Sequence, residues 1–334
     1  MDDAGKTKTV CVTGAGGFIA SWLVQLLLSS GDYVVHGTVR DPSDPKNAHL
    51  MALDGAGERL RLFKADVLDY ASVAAAVADC DGVFHVASPV PAANPANPDV
   101  EVLAPALTGT QNVLKASQAA NVRRVVVVSS VAAVIMNPKI PEGAVVDEDC
   151  WSDEDYCRTT EMWYCLSKTM AEREALAYGE KAGLDVVTVC PPWVLGPLLQ
   201  PTVNTSSLRL VTYLKGETAD EKTRNMVDVR DVANALLLAY ETPEASGLRY
   251  ICSAHAMKVS ETVGVVESLH PDLKLPDCPK KFVQVEDETV VSSKRLQALG
   301  WKFRTVEETL GDTVGSYKAA GILKCACVGD LTKV

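Results

Sequence analysis

Tyr164 is the only one of the nine tyrosines with a lysine four residues later, and that lysine is Lys168. Residues i and i+4 lie on one face of a helix, so we expect the Lys168 ammonium beside the Tyr164 phenol. A phenol whose pKa stays at about 10 is a poor acid or base at neutral pH, and a nearby cation lowers that pKa. The pair therefore predicts a proton donor for a substrate oxygen, and Lys168 is also a candidate to hold the ribose of a nucleotide.

Two serines, Ser129 and Ser130, close an apolar, valine-rich segment at residues 124–130 that is typical of a buried strand. Ligands of open parallel sheets bind at the carboxyl ends of the strands. We therefore expect Ser130 to orient the substrate oxygen, with Ser129 as the second candidate. The alternative is that both hydroxyls only satisfy backbone groups at the strand end.

Glycines are concentrated where the first strand pattern changes to a helical one, in the run Thr13-Gly14-Ala15-Gly16-Gly17-Phe18-Ile19. Glycine at such a turn allows a tight bend and a close backbone approach, so the first amides of the helix can bind a pyrophosphate. A plain turn that uses glycine for a positive φ would not need three glycines in four positions. The run predicts a dinucleotide site.

The choice of dinucleotide is expected at the end of the second strand. An acidic residue there binds the ribose hydroxyls of NAD, whereas a basic residue accepts the additional phosphate of NADP. Arg40 offers a planar fork suited to a phosphate, and Lys46 offers a second cation. These two residues favour NADPH; Asp41 keeps NADH open, and Lys46 has the alternative of a solvated helix charge.

Other cofactor contacts are expected where the remaining strands end, because all those ends meet at one edge of a parallel sheet. The positions are Asp66 and Val67 after the third strand, Val86, Ala87 and Ser88 after the fourth, Ser129 after the fifth, and Pro191, Pro192 and Val194 after the sixth.

The elements that must position these residues alternate between β-branched apolar runs and helical patterns, which predicts an α/β fold with a doubly wound parallel sheet. Strands are predicted at residues 9–13, 33–39, 60–64, 82–86, 124–130 and 185–190, and helices at 18–30, 45–53, 70–78, 100–120 and 161–181. Beyond residue 194 the regularity weakens: 201–225 is polar and loop-like, 229–240 helical and 248–252 a strand, with further helices at 259–269, 292–299 and 306–320.

This pattern divides the chain into a dinucleotide-binding domain at residues 1–194, to which 226–252 return, and a smaller substrate lobe. The lobe takes residues 195–225 and 253–323, and residues 324–334 are expected to be a flexible tail.

Composition narrows the class of protein. Of 334 residues, 32 are Lys or Arg and 43 are Asp or Glu, so the formal charge is −11, which disfavours a nucleic-acid surface. No stretch has the length and apolar character of a membrane span, and no secretory signal precedes the ten scattered cysteines. Reduced thiols and a cytoplasmic location are expected, with no metal site, because no His or Cys cluster has zinc-ligand spacing.

The glycine turn, Ser130, Tyr164 with Lys168, and the segment 191–197 together resemble the extended short-chain dehydrogenase/reductases. Residues 39–42, 147–152 and 163–165 resemble the plant cinnamoyl-CoA reductase and dihydroflavonol reductase group, and the resemblance covers about residues 8 to 323. It implies a Rossmann fold and a catalytic Ser130, Tyr164 and Lys168 triad. It also implies NADPH held by Arg40, Lys46 and Ser206, and hydride delivery to an aromatic carbonyl.

Departures from that group bear on the substrate. Arg209 and Thr212 replace the His and Lys that help hold CoA, and Ile135, preceded by Val134, stands where dihydroflavonol reductases place an Asn. We expect a monomeric reductase of hydroxycinnamoyl-CoA thioesters in phenylpropanoid and lignin metabolism, with Val134, Ile135 and Arg209 as substrate contacts. Reduction of free aromatic aldehydes or ketones, or a non-catalytic NADPH-binding regulator, are the alternatives.

Three further features concern the cysteines and one histidine. By the same resemblance, Cys157 and Cys165 match a pair able to form a redox-sensitive disulfide; the alternative is two buried thiols that pack as small apolar groups. His85, inside an apolar run, is expected to be a core histidine. Cys325 and Cys327 offer only two ligands, too few for a metal site.

Overall fold

The computed structural model describes residues 7–88, 95–141, 143–217, 220–273, 283–284 and 289–323. The predicted tail at 324–334, with Cys325 and Cys327, lies outside these ranges. The strands are β1 (Lys8–Val12), β2 (Tyr33–Val39), β3 (Leu60–Lys64), β4 (Gly82–His85), β5 (Arg124–Val128), β6 (Val145–Val146), β7 (Val186–Cys190), β8 (Trp193–Leu195), β9 (Asp220–Glu221), β10 (Thr223–Asp228), β11 (Arg249–Ile251), β12 (His255–Lys258), β13 (Val283–Gln284) and β14 (Val290–Val291).

The α-helices are α1 (Phe18–Ser30), α2 (Ala48–Met51), α3 (Ala56–Arg59), α4 (Tyr70–Val77), α5 (Ala104–Ala119), α6 (Glu154–Thr159), α7 (Trp163–Ala182), α8 (Thr205–Leu214), α9 (Val229–Glu241), α10 (Val259–Leu269), α11 (Lys294–Ala298) and α12 (Val306–Ala319). Short 3-10 turns lie at Pro45–Asn47, Val131–Ala133 and Pro243–Ala245, and a π-helical turn lies at Asp99–Leu103.

Seven parallel strands form the main sheet in the order β11-β7-β5-β4-β1-β2-β3. Side chains of β1 alternate between two cores, since Val10 and Val12 belong to the cluster that packs against α1 and α9, and Cys11 to the cluster on the other face with α4 and α5. Every residue of β4, β5 and β7 is buried, as a sheet covered on both faces requires. The predicted doubly wound α/β fold is confirmed.

Outside the main sheet, the described strands form the three-stranded sheet β12-β10-β8 and the two-stranded pairs β13-β9 and β14-β6. Helices pack against the three-stranded sheet. Its apolar core joins α8, α10 and α12 through side chains such as Leu210, Val263 and Leu310. The prediction of a loop at 201–225 is wrong, because α8 and the start of β10 lie there. Ser207, Leu210, Val211 and Leu214 are buried at helical spacing, a short apolar stripe that the surrounding polar residues obscured.

Two predicted helices differ from the observed elements, and each contains a proline near the difference. The helix predicted at 100–120 begins as the π-helical turn, and α5 follows with Pro105 in its first turn. Pro105 has no N–H to donate to a preceding carbonyl, so the regular α pattern starts only there. The helix predicted at 45–53 is a 3-10 turn that begins at Pro45, followed by the single turn of α2.

Within the described ranges, no helix combines the length and the apolar character needed to cross a membrane.

Candidate active site

The glycine turn joins β1 to α1 at the carboxyl edge of the main sheet. Gly14 has a φ of 66°, and a Cβ there would lie 3.1 Å from the Ala87 side chain, so the turn requires glycine at this point. Gly17 precedes α1 without a side-chain cap, and the first turn of α1 carries no acidic residue. The first amides of α1 are therefore open to an anion at the positive end of the helix. Phe18 is buried and Ile19 half-buried beneath this turn.

The Thr13 hydroxyl is bound within the protein, and the contact of Thr13 with a cofactor stays a prediction. Its hydroxyl is buried and accepts hydrogen bonds from the amides of Val86 and Ala87, each at 3.0 Å. The Nδ1 atom of His85 lies 3.0 Å from the same hydroxyl. Thr13 thus ties the end of β4 to the end of β1. This network fixes the crevice between the two strands, beside Ser88.

His85 is a core residue, as its apolar surroundings in the sequence indicate. Its Nε2 atom lies 3.4 Å from the Thr110 hydroxyl, so both ring nitrogens have partners. Burial, with a contribution from the nearby Lys168 charge, lowers the pKa of His85 to about 3. The ring is therefore neutral at physiological pH.

Arg40 follows β2 and is exposed to solvent, and its acidic neighbour Asp41 is bound within the same loop. Asp41 accepts hydrogen bonds from the Ser43 hydroxyl at 2.7 Å and from the Ser43 amide at 2.9 Å, and these bonds lower the pKa of its carboxyl group. Lys46 pairs with Asp44 at 2.7 Å across an exposed surface. The Asp41 carboxylate is therefore hydrogen-bonded within its own loop. Arg40 is exposed at the end of the strand.

Asp66 and Val67 follow β3 and stand at the same edge of the sheet. Asp66 is exposed, and its carboxylate accepts a hydrogen bond from the Leu68 amide at 2.9 Å. The Val67 carbonyl accepts a hydrogen bond from the Asn112 side chain at 2.9 Å, so α5 fixes this loop.

Tyr164 and Lys168 lie one turn apart on α7, and Ser130 follows β5. Tyr164 is half-buried; burial raises its pKa to about 12, and a hydrogen bond with the Ser130 hydroxyl acts in the opposite direction. Ser129 points elsewhere, because its hydroxyl donates to Glu172 at 2.7 Å. The structure therefore brings Ser130 and Tyr164 together.

Lys168 is buried, and its ammonium donates a hydrogen bond to the Val128 carbonyl at 3.0 Å. Burial lowers the pKa of Lys168 to about 8. The expected lowering of the Tyr164 pKa is wrong for this structure, because burial of the phenol is the largest influence on it. At neutral pH the site holds a neutral phenol one helical turn from the Lys168 cation.

The segment after β7 continues along the same edge. The Pro191 carbonyl accepts hydrogen bonds from the Val131 amide at 3.1 Å and from the Ser130 hydroxyl at 3.4 Å. Pro192 is half-buried, and Val194 is buried within β8. Trp193 donates its indole N–H to the Ser206 carbonyl at 3.0 Å, which joins this segment to α8.

The three predicted substrate contacts differ in how exposed they are. Val134 is 0% exposed, in a cluster with Val146 and Ile251. It offers no surface to a substrate, so the predicted substrate contact at Val134 is wrong. Ile135 is half-buried at the margin of this cluster. Arg209 is exposed on α8, and its contact with a substrate stays a prediction.

Cys157 and Cys165 are free thiols on α6 and α7, and they pack in one small apolar cluster with Leu166. Burial is the main cause that raises the pKa of both thiols, that of Cys165 to about 12. Both thiols are reduced and packed in this structure, and the redox-sensitive disulfide stays a prediction. In the described residues, no three His, Cys, Asp or Glu side chains lie together as metal ligands.

A buried ion pair beneath the site, Glu172 with Arg249, escaped the sequence analysis. The Glu172 carboxylate accepts from Arg249 Nε at 2.9 Å, and the two residues are 77 positions apart. Glu172 follows Lys168 by four residues, a spacing that could have pointed to it; nothing in the sequence pairs it with Arg249.

Comparisons with known proteins identify the family of the chain. Residues 10–252 match the NAD dependent epimerase/dehydratase family. The chain is 48% identical over 323 residues to cinnamoyl-CoA reductase 2 of Medicago truncatula, an alignment that covers 96% of this chain and 94% of that protein.

Two solved structures share the whole architecture. The vestitone reductase of alfalfa (Medicago sativa L.) superposes with a TM-score of 0.82 at 32% identity, over 95% of this chain and 100% of that one. The yeast methylglyoxal/isovaleraldehyde reductase complexed with NADPH gives a TM-score of 0.81 at 26% identity, over 94% and 99% of the two chains. The chain belongs to the NAD dependent epimerase/dehydratase family and, within it, to the reductases related to cinnamoyl-CoA reductase.

Proposed function

We propose that this chain is an NADPH-dependent oxidoreductase that reduces hydroxycinnamoyl-CoA thioesters to hydroxycinnamaldehydes. The observation that carries the proposal is the contact of Tyr164 with Ser130, one helical turn from the buried Lys168, at the sheet edge that also holds the glycine turn. The 48% identity to a cinnamoyl-CoA reductase over nearly the whole chain supports the substrate class.

The residues of the glycine turn fit a dinucleotide. A Cβ at Gly14 would meet Ala87, and a Cβ at Gly16 would meet the Asn47 side chain, so only glycine leaves the backbone free for a close approach. The amides at the start of α1 would hold the pyrophosphate, and Arg40 would hold the ribose phosphate of NADPH. Lys168 would bind the nicotinamide ribose. When bound, NADPH supplies the hydride.

Tyr164 and Ser130 act on the substrate oxygen. Because its pKa is raised to about 12, Tyr164 keeps its proton at neutral pH and can donate it as negative charge develops on the carbonyl oxygen. The Ser130 hydroxyl orients the same oxygen, and the Lys168 charge stabilises the phenolate that remains. With a thioester, the Tyr164 phenolate takes the proton back as the tetrahedral adduct collapses; the C–S bond breaks, CoA leaves as the thiolate and the aldehyde remains.

The substrate half is proposed to comprise residues 195–225 and 253–323, packed against a cofactor half of residues 1–194 and 226–252. Arg209 supplies a positive charge for the anionic CoA tail in a chain of formal charge −11. Exposed apolar side chains next to the site residues in sequence, Met162 and Leu208, are candidates to contact the aromatic ring together with Ile135.

The setting we propose is phenylpropanoid and lignin metabolism in the cytoplasm, with the chain acting as a monomer. All seven cysteines within the described ranges are free thiols, which supports a reducing compartment.

A second candidate function is the reduction of free aromatic aldehydes or ketones to alcohols. It is favoured by the structural similarity to a methylglyoxal/isovaleraldehyde reductase and by the replacement of the family's CoA contacts by Arg209 and Thr212. The same proton donor serves both reactions; the thioester adduct expels CoA thiolate, whereas the adduct of an aldehyde or ketone keeps its proton and is released as the alcohol.

Replacement of Tyr164 by Phe tests the chemistry. We expect Y164F to lower kcat by about 10²- to 10⁴-fold, the usual contribution of a positioned proton donor, while NADPH still binds. The control is Y178F, because the Tyr178 phenol lies on the same helix but donates to Gln118 at the surface. Full turnover in Y164F, or a wild type that binds NADPH and reduces no aromatic thioester or carbonyl, contradicts the proposal.

A further inference from the structure

Three charged side chains are buried together behind the proposed proton donor. Lys168 is 6% exposed, Glu172 is 1% exposed and Arg249 is 6% exposed. Lys168 and Glu172 lie one turn apart on α7 and line the same cavity of about 20 Å³, together with Ser129. Charges are rarely buried without partners, so this group needs an explanation.

Glu172 has no acceptor capacity left for a further partner. Its carboxylate accepts two hydrogen bonds from Arg249, at 2.9 and 3.1 Å, and one from Thr188 at 2.6 Å. Ser129 donates to it at 2.7 Å, and the Cys190 thiol donates at 3.3 Å. A carboxylate offers about four lone-pair sites, so Glu172 is held rigidly.

Arg249 is fixed in the same way from the other side. Its Nη1 atom donates to the carbonyls of Glu148 at 3.0 Å and Cys150 at 2.7 Å. The guanidinium carbon lies 3.5 Å from the centre of the Trp151 ring. Neither member of the Glu172–Arg249 pair can move to a new partner without breaking several contacts.

The local charge balance leaves one positive charge in excess. Lys168 and Arg249 are cations, and Glu172 is the single anion between them. The other titratable groups that face Lys168 are neutral at pH 7: burial holds the pKa of His85 at about 3 and raises that of the Cys190 thiol, and Tyr164 keeps its proton. Because Arg249 pairs with Glu172, the excess charge lies on Lys168, one helical turn from Tyr164.

We propose that Glu172 is a positioning residue for the reduction, which keeps Lys168 charged and fixes Ser129 beside Ser130, and that Arg249 sets how strongly Glu172 acts on Lys168. The inference rests on the proposed function, since it assumes that charged Lys168 supports proton donation by Tyr164. It is carried by the contacts of Glu172, which join β5, β7 and β11 to the catalytic helix.

The ionisation of Lys168 makes the inference measurable. Burial brings the pKa of Lys168 down to about 8, and first Cys190 and then the Glu172 charge act in the opposite direction. The rate should therefore fall as the pH rises through about 8, where Lys168 loses its charge. We call this fall the alkaline limb of the pH profile.

The test is the pH dependence of kcat in E172Q and R249Q. Loss of the Glu172 charge should move the alkaline limb to lower pH by about one unit, since removal of a close opposite charge shifts a pKa by roughly 1–3 units. Loss of the Arg249 charge should move the limb to higher pH. A merely structural role cannot produce shifts of opposite sign. The control T188V removes one hydrogen bond to Glu172 and no charge, so its limb should stay in place.

A second variant and a binding measurement also test the inference. If E172Q does not fold, E172D retains the charge balance and should give a smaller shift in the same direction. The pH dependence of NADPH affinity, followed by nicotinamide fluorescence, reports Lys168 without turnover. A wild type without turnover defeats the proposed function alone, whereas unmoved limbs or unmoved NADPH affinity profiles in folded variants overturn this inference.

Discussion

At the scale of single residues, the site works by burial more than by direct pairing of charges. Tyr164 retains its proton because it is desolvated, and Lys168 stands close to losing its proton for the same reason. A protonated phenol next to a cation suits the direction of reduction, in which the phenol must give up a proton. The sequence spacing placed the two groups one helical turn apart, but besides burial the pKa of Tyr164 depends on Ser130 after β5, and that of Lys168 on Cys190 in β7, which no local pattern connects to them.

Cofactor selection also belongs to single residues. We expect R40A to raise the KM for NADPH by about 10-fold or more, since a charge-assisted hydrogen bond contributes roughly 1.5–3 kcal/mol, and to leave the KM for NADH nearly unchanged. The measurement is the steady-state KM for both nucleotides.

Arg61 provides the matched control for Arg40. It is exposed near the amino end of β3, away from the edge that holds the glycine turn. R61A should therefore keep the wild-type preference for NADPH. Equal losses with NADPH and NADH in R40A would show that Arg40 does not read the phosphate.

At the scale of elements, close packing between helix and sheet holds the site in place. Gly82 lies in β4 where α9 crosses the sheet, and a Cβ there would collide with the buried Tyr240 ring. Tyr240 packs against Phe84 with ring centres 5.1 Å apart, so the ring has little room to move. Glycine at this position allows α9 to approach β4, the strand whose end lies beside the glycine turn.

G82A should therefore lower the free energy of unfolding by about 1–3 kcal/mol, the usual cost of overpacking a core. Its counterpart is G315A, at an exposed site within α12 where an added Cβ meets nothing within 4 Å. Alanine there should stabilise the chain by about 0.5–1 kcal/mol through helix propensity. Urea unfolding of both variants checks the pair, and equal stabilities would contradict the packing argument.

Elements with a strong period could be predicted from the sequence, and elements shaped by distant contacts could not. The helix α1 and the strands β2 and β3 were predicted with their observed bounds. The helix α8 was missed because its apolar stripe is short and becomes informative only against β8 and α10. Pro105 carried a readable signal for the late start of α5, since proline cannot continue a hydrogen-bonded turn.

At the scale of the whole molecule, one sheet edge collects residues that are far apart in the chain. The glycine turn after β1, Arg40 after β2, Ser130 after β5 and Pro191 after β7 meet there because all seven strands are parallel. This convergence could be predicted from the alternation of strands and helices. The substrate side could not, because it draws on short elements such as β8 and α8, whose patterns span too few residues to be recognised in the sequence.

The net charge of the whole molecule also bears on which substrate can bind. Its formal charge of −11 opposes an anionic CoA tail except where exposed cations such as Arg209 stand. The most direct measurement is the kcat/KM of NADPH consumption with feruloyl-CoA, beside the same assay with the matching free aldehyde. We predict a clear rate with the thioester that exceeds the rate with the aldehyde; a rate with the aldehyde alone would contradict the account and leave a carbonyl reductase.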